Sequence, residues 1–576
     1  MHALSRSRWA AGIATLMLAL FDAAPSSAQS PPNQPASILQ PVPEYVPPPN
    51  LPPPPPNLPP PPNLSLPPDE VPSKIPNSVA GGATPQTADP TVVTPPRILP
   101  TPEAVPLVPT VLPPPAQRSF IELTSLRLLR ERGLISQADY DSAMRDLASS
   151  LGGRAADSTT LVIGKWATTL FGFAQADVMY FSTQSFNDYA GNLQIARPDT
   201  FAGQHGRTEF TARDSRIGFR IDAPELSWLR ASALLEMDFL GPTGSIGSSI
   251  SEASFFNNPV LRIRHAYFKM ETPIVDILFG HTWHVFGFQP SFVPADVQWS
   301  GVVGSLFART MQLRISKTVK TKPVTLEFVV SGNRPPQRDS MTPEFEAGAK
   351  ISFNGWTGVH TLYVTSTTTM PATIAISGDL RRFTLPQFSA IPQDTNSAIG
   401  LGVAVDAFLP IIPGTKDKRD NSLSVVGEFV SGQGINDMYV GLVGGVSNPP
   451  LPAQGGMAAP VFVPGDDPGL AVYDKNGELR LPHWMTFIVG LEYYPPKVGG
   501  RLGLFANLAR TKLLDSDLYV NPAKVRDNEM FYNAGFFVDI SQAIRVGCDW
   551  AYFDDQYADG VHATTHAIQG VGFFFF

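Results

Sequence analysis

The sequence predicts an all-β protein, a transmembrane antiparallel β-barrel of about 16 strands, and three observations carry that prediction. From about Lys165 onward apolar and polar residues alternate with period two, the pattern of a strand with unlike faces. About 16 such stretches follow one another between Thr169 and Phe576, an even number that suits a membrane barrel and exceeds one compact sandwich. The chain ends "QGVGFFFF", Gln569 to Phe576, which is safe only as a paired strand, because an unpaired apolar edge invites association with other chains.

Three segments precede the barrel. Residues 1–28 read as an export signal: Arg6 and Arg8 give a charged start, Trp9 to Phe21 an apolar stretch, and Ser26-Ser27-Ala28 a small-residue cleavage site. A signal anchor is the alternative, but the apolar run is shorter than the roughly 18 residues a spanning helix needs. Residues 29–117 form a proline-rich, disordered spacer. The chain holds 59 Pro, and more than half lie before Arg118; proline fixes φ and lacks the amide donor, so this tract joins neither a sheet nor a core. In an extended, polyproline-like form of about 3.1 Å per residue it reaches on the order of 200 Å, as a passive linker or as a tether to peptidoglycan or another partner.

Residues 118–152 predict a short helical pair. Phe120, Leu123, Leu126, Leu129 and Leu134 recur at helical spacing, Gly133 supplies a stop, and Ser136 with Asp139 resembles a capping box. Two short helices bury little alone. Their apolar stripe is expected to pack on a copy of itself, as an oligomerisation segment, or on the neighbouring domain.

The barrel is expected over residues 165–576. In "EFEAGAKISF", Phe345, Ala347, Ala349, Ile351 and Phe353 share one face, with Glu344, Glu346, Gly348, Lys350 and Ser352 on the other. "RASALLEMDF" and "HWMTFIVGLEYY" repeat the pattern, with Leu234 the one exception in the first. "PPKVGG" and "SQAI" read as tight turns, whereas Ser431 to Leu481 and Ser366 to Asn396 read as long loops; short turns at one end and long loops at the other mark a membrane barrel. In a closed barrel Phe574 and Phe576 face lipid, with Phe573 and Phe575 turned inward. Tyr180, Tyr493, Tyr494 and Trp550 are candidates for interfacial girdles.

Composition excludes some functions. A net charge of −8 argues against a nucleic-acid binder. Cys548 is the single cysteine and makes no internal disulfide. His281 and His284 are three apart, on opposite faces of a strand, so they do not share a metal, and no metal or cofactor site is expected. "DKNGEL" lacks a full calcium-ligand series and reads as an Asn-Gly turn; "GLGVAVDAF" has a GxG with no helix after it. No nucleophile sits beside a base, so no enzyme is expected, although loops can bring catalytic groups together from a distance.

"TARDSRIGFRI" (211–221), "LRIRHAYFKM" (261–270) and "LFGHTWHVFGF" (278–288) resemble the second, fourth and fifth strands of the DcaP-type trimeric porins, and "FGFAQADVMY" resembles their first. The likeness is best over about 165–320, and the helical pair also resembles the N-terminal extension of such porins; the long proline tract is a departure. The resemblance implies a 16-stranded barrel, three to an assembly in the bacterial outer membrane, passing small and often anionic solutes, with the N-terminal segment in the periplasm.

Parity then nominates the pore lining. With Ile217, Phe219 and Ile221 on lipid, Arg216 and Arg220 turn inward, and by the same count so do Arg230, Arg262 and Arg264. Guanidinium groups stay charged and present paired donors, which suits carboxylates and phosphates. Gln175, Asp177, Glu236 and Asp238 are expected to face them as an acidic counter-wall; the alternative is that these charges neutralise one another. Arg213 falls on the lipid face, at a subunit interface or a membrane boundary. "FGFQPSFVPADVQWSGVVG" (286–304), with Phe286, Gln289, Asp296 and Trp299, is the candidate constriction loop, or else packs on the rim. The expected function is an outer-membrane porin for passive diffusion of small hydrophilic solutes, favouring anions such as carboxylates. The alternatives are a structural anchor tethering the envelope and a barrel hydrolase.

Overall fold

The computed structural model describes Arg130, Thr159–Ile163 and residues 166–576 apart from 187–193, 242–259, 298–299, 338–339, 441, 443 and 452–466. The export signal, the spacer and, except for helical Arg130, the helical pair lie outside the described residues.

One 18-stranded sheet closes on itself. Two of its segments, Arg207–Thr211 and Arg216–Asp222, pair with two halves of the same neighbour and make one interrupted strand, while Thr159–Ile163 is a short extra arm. The wall therefore has 16 strands. In chain order they are β1 (Trp166–Phe181), β2 (Arg207–Thr211 with Arg216–Asp222), β3 (Arg230–Gly241), β4 (Val260–Glu271), β5 (Asp276–Trp283) and β6 (Arg309–Lys320). There follow β7 (Val324–Asn333), β8 (Glu344–Leu362), β9 (Ser366–Pro386), β10 (Thr395–Ile412) and β11 (Ser422–Gln433). The last five are β12 (His483–Tyr494), β13 (Leu502–Leu513), β14 (Arg526–Asp539), β15 (Ile544–Tyr557) and β16 (His562–Phe575).

Closure runs through the phenylalanine terminus. β16 pairs antiparallel with β1 from Phe575 opposite Phe173 to Ala567 opposite Phe181. Gly172 and Phe576 then exchange two backbone hydrogen bonds, of 3.0 and 3.1 Å. Phe573 is buried against Phe173, ring centroids 5.6 Å apart, while Phe574 is 53% and Phe576 41% exposed on the outside. The same alternation runs round the wall: Phe345, Leu401, Val403 and Leu491 project outward, and Glu346, Asp406, Glu428 and Glu492 are buried inside. Only a closed barrel with an apolar exterior satisfies the backbone of such a surface in lipid.

Short turns, such as 321–323 and 540–543, gather at one end, and long loops, such as 284–308 and 434–482, at the other. Three expectations are corrected. Ser366 to Asn396 is mostly strand β9, with a loop only over 387–394. Tyr494 leaves the proposed girdle: it is fully buried on the inner face, where its hydroxyl lies 2.9 Å from Thr361 Oγ1. Arg213 is also inside, because β2 breaks at 212–215 and resets its parity; the guanidinium donates to the carbonyls of Phe239 at 3.3 Å and Gly241 at 3.2 Å.

Val403 stands on the outer face of β10. Val403→Arg is expected to lower barrel stability by about 2–4 kcal/mol, the cost of a cation at mid-bilayer depth, measured as urea unfolding from lipid vesicles.

Candidate functional site in the lumen

Two pieces of chain occupy the barrel. The first is the loop after β5, residues 284–308, which turns inward at its root: Val285 N donates to Glu346 Oε2 at 2.7 Å and Gly287 N to Ser377 Oγ at 2.8 Å. Farther along, Asn507 Nδ2 donates to the Ala295 carbonyl and Asn533 Nδ2 to Asp296 Oδ1, both at 2.8 Å, and Leu306 N donates to Glu428 Oε1 at 3.1 Å. The loop thus crosses the inner face from β8 to β14. Phe286, Phe292, Val302 and Leu306 are buried there, which explains why it is too apolar for a surface loop. Gln289 ties its two ends together, accepting from Ala308 N at 2.6 Å and donating to the Phe286 carbonyl at 3.0 Å. Trp299 lies outside the described residues.

The second piece is the tip of the β8–β9 hairpin. β8 pairs with β7 only as far as Phe353, and β9 with β10 only as far as Thr373, yet the two strands stay paired with each other from Thr357–Pro371 to Leu362–Ser366. A register shift between Phe353 and Thr357 bends this unsupported arm, which enters the lumen from the short-turn end. Thr361 N donates to Glu492 Oε2 at 2.9 Å and Ser424 Oγ to the Val359 carbonyl at 2.7 Å. Tyr363 and Val364 form the turn at φ 48° and 55°, a conformation that costs non-glycine residues about 1–3 kcal/mol each and persists only where surroundings impose it. Arg545 imposes it: Nη1 donates to the Val364 carbonyl at 2.6 Å, Nη2 to Thr367 Oγ1 at 3.1 Å, and Nε to Asp539 Oδ1 at 2.6 Å. Loop and hairpin meet in mid-lumen, with His360 Nε2 hydrogen-bonded to the Ser291 carbonyl at 3.1 Å and the rings of Phe307 and Tyr363 5.1 Å apart.

The polar wall of β1 to β4 is arranged differently from the expectation. Register sets both Arg216 and Arg262 opposite Asp238, and a bulge at Glu236/Met237 places Arg264 beside them. Arg262 Nη2 lies 2.7 Å from Asp238 Oδ2; Arg264 lies 2.7 Å from Glu236 and 3.0 Å from Asp238. Glu236 and Asp238 are therefore neighbours of the arginines, not a wall facing them. Gln175 and Asp177 are on adjoining β1, where Asp177 accepts from Gln175 at 2.9 Å and Gln569 at 2.8 Å. Arg220 and Arg230 are exposed near the short-turn rim, and Arg230 bonds Glu225 at 2.6 Å. Carboxylates do lie on the far side, in β8 to β15, but Glu346, Glu428 and Glu492 accept amides of the two inserted pieces.

Buried polar atoms of both signs remain without a partner on the inner face, Asp214 Oδ2 and both oxygens of Asp406 among the acceptors. Among the described residues, Arg216 Nε, Arg309 Nη1 and the Tyr363 hydroxyl are buried without a hydrogen-bond partner. Arg309 and Arg264 stand over Trp283 at 4.5 and 5.9 Å, Trp283 packs on Phe307 at 4.4 Å, and Arg216 stands over Phe173 at 5.1 Å. Aromatic faces thus position these cations. Below, at the short-turn mouth, a cavity of about 950 Å³ is lined by Arg216, Thr365, Arg419, Arg501, Asp539 and Arg545 among others. Sequence reasoning missed Arg309, Tyr363, Arg419 and Arg545, which stand at strand ends and turns where period two assigns no face.

No family model and no curated protein matches this chain. Among solved structures it is similar to the outer membrane channel DcaP of Acinetobacter baumannii, with a TM-score of 0.49 and 17% identity over 72% of this chain and 99% of that one. It is also similar to an anion-selective porin from Comamonas acidovorans (0.40, 11%, 71% and 100%) and to Pseudomonas putida OprB (0.40, 12%, 70% and 94%). With scores below 0.5 and identities below 25%, what the lumen does has to be read from its own geometry.

Arg545 latches the hairpin through charge-assisted bonds worth about 1.5–3 kcal/mol. Arg545→Ala is expected to raise the displaced fraction of the hairpin roughly tenfold or more, read as faster amide exchange over 358–368 with the wall strands unchanged.

Proposed function

We propose that this chain is a narrow porin of the bacterial outer membrane, assembled as a trimer, that passes small hydrophilic solutes and favours anions such as carboxylates. The observation that carries the reading is the grouping of Arg216, Arg262, Arg264 and Arg309 on one side of the lumen, across from which Glu346, Glu428 and Glu492 are bonded to amides of the inserted loop and hairpin. A fixed cationic lining with buried donors lowers the barrier for an anion that sheds part of its water, and raises it for a cation. Length of the spacer, the export signal and the helical pair support delivery to the outer membrane with a periplasmic N-terminus.

A second reading, an envelope tether with a barely conducting barrel, draws on the filling of the lumen from both ends and on the proline tract. Planar-bilayer recording under a salt gradient separates the two. The porin reading expects small openings in groups of three and a reversal potential on the anion side, with the anion-to-cation permeability ratio falling about threefold or more in Arg216→Gln/Arg309→Gln. A correctly folded barrel that conducts nothing favours the tether.

A further inference from the structure

The loop's root carries a cluster that channel function does not use. His284, Glu344 and Glu346 are buried, and one ligand atom from each lies within 4.8 Å of the others. His284 Nδ1 is 2.6 Å from Glu346 Oε1 and 3.4 Å from Glu344 Oε1. The second oxygen of each carboxylate is held from behind. Glu346 Oε2 accepts from Val285 N at 2.7 Å and Ser331 Oγ at 3.2 Å, and Glu344 Oε2 from Arg381 Nη2 at 3.2 Å. The backing donors fix both carboxylates so that their inner oxygens and the imidazole nitrogen converge on one point, the role outer-shell partners play around a metal.

Two further buried groups lie beside it, for in the sheet register Asn333 stands opposite Glu344 and Asp379 opposite Glu346. Asn333 Oδ1 and both oxygens of Asp379 have no hydrogen-bond partner among the described residues, and these side chains are 2% and 3% exposed. The Asn333 amide is 3.4 Å from Glu344 Oε1, and Asp379 touches only Arg381 Nε, at 3.3 Å. Arg381 also bridges Glu344 at 3.2 Å, Asp379 at 3.3 Å and Asp437 at 2.6 Å, which ties the carboxylates of β8 and β9 together.

We infer that His284, Glu344 and Glu346 bind a divalent cation of the zinc or manganese type, with Asn333 or Asp379 as a further oxygen donor, and that this cation pins the root of the inserted loop. One imidazole nitrogen with carboxylate oxygens is a donor set for such ions, at ligand distances of about 2.0–2.2 Å once bound. His284 and Val285 are the first residues after β5, so a cation here joins loop to β8 independently of what the pore conducts.

The test uses the full chain without a polyhistidine tag, stripped with EDTA, dialysed against Zn²⁺ or Mn²⁺, and analysed for metal after gel filtration. One equivalent per barrel and a raised unfolding temperature are expected. His284→Ala and Glu344→Gln should lose the metal, Ser331→Ala should bind about 10–100-fold more weakly, and His281→Ala should keep it. If His284→Ala fails to fold, the near-isosteric Glu344→Gln carries the test. Less than a tenth of an equivalent in the folded wild type, or undiminished binding in Glu344→Gln, overturns the inference. Because metal content is read without current, a barrel that binds the cation yet does not conduct leaves the site standing and removes only the porin reading.

Discussion

Everything in this structure depends on one constraint, that no backbone N–H or C=O is left without a partner where water is absent. In lipid the constraint demands closure, and β16 supplies it by lying against β1, so that a terminus of four phenylalanines becomes a seam in the wall. Closure in turn fixes the faces. Once Phe573 is inside and Phe574 outside, period two assigns every wall residue to lipid or lumen until a bulge or break intervenes.

The same constraint acts inside. A loop or hairpin brought into the lumen carries amides that must be satisfied, and the inner wall meets them with carboxylates and amides: Glu346 for Val285, Glu428 for Leu306, Glu492 for Thr361, Asn507 for Ala295. Acidic residues that a linear reading would assign to the pore thereby become anchors. On the other side of the lumen Arg309 and Arg216 are set on Trp283 and Phe173.

Much of this was legible in the sequence, and the failures have physical causes. Alternation read Phe345 and Glu346 onto opposite faces, and it also turned Tyr494 inward with Glu492, so its place in a girdle contradicted the period itself. Pairing of Arg262 with Asp238 is a matter of register between β3 and β4, which alternation within one strand cannot supply. The inserted hairpin left one trace: β8 and β9 run 19 and 21 residues where β3, β4 and β6 have 12, more than a membrane needs. Its turn residues, Tyr363 and Val364, carry no turn chemistry, because contacts from Arg545 rather than local preference hold them. His284 finds its partners in β8, some sixty residues away in sequence and beyond the reach of local spacing.

In the porin reading the β8–β9 hairpin forms one side of the passage, beside the arginines. The most direct test replaces 356–370 by a two-residue Asn-Gly turn and records single-channel conductance of the shortened barrel against the intact one. A conductance several-fold larger, with weaker preference for anions, is expected, because the passage widens away from the guanidiniums. Conductance and selectivity unchanged from the intact chain would contradict it.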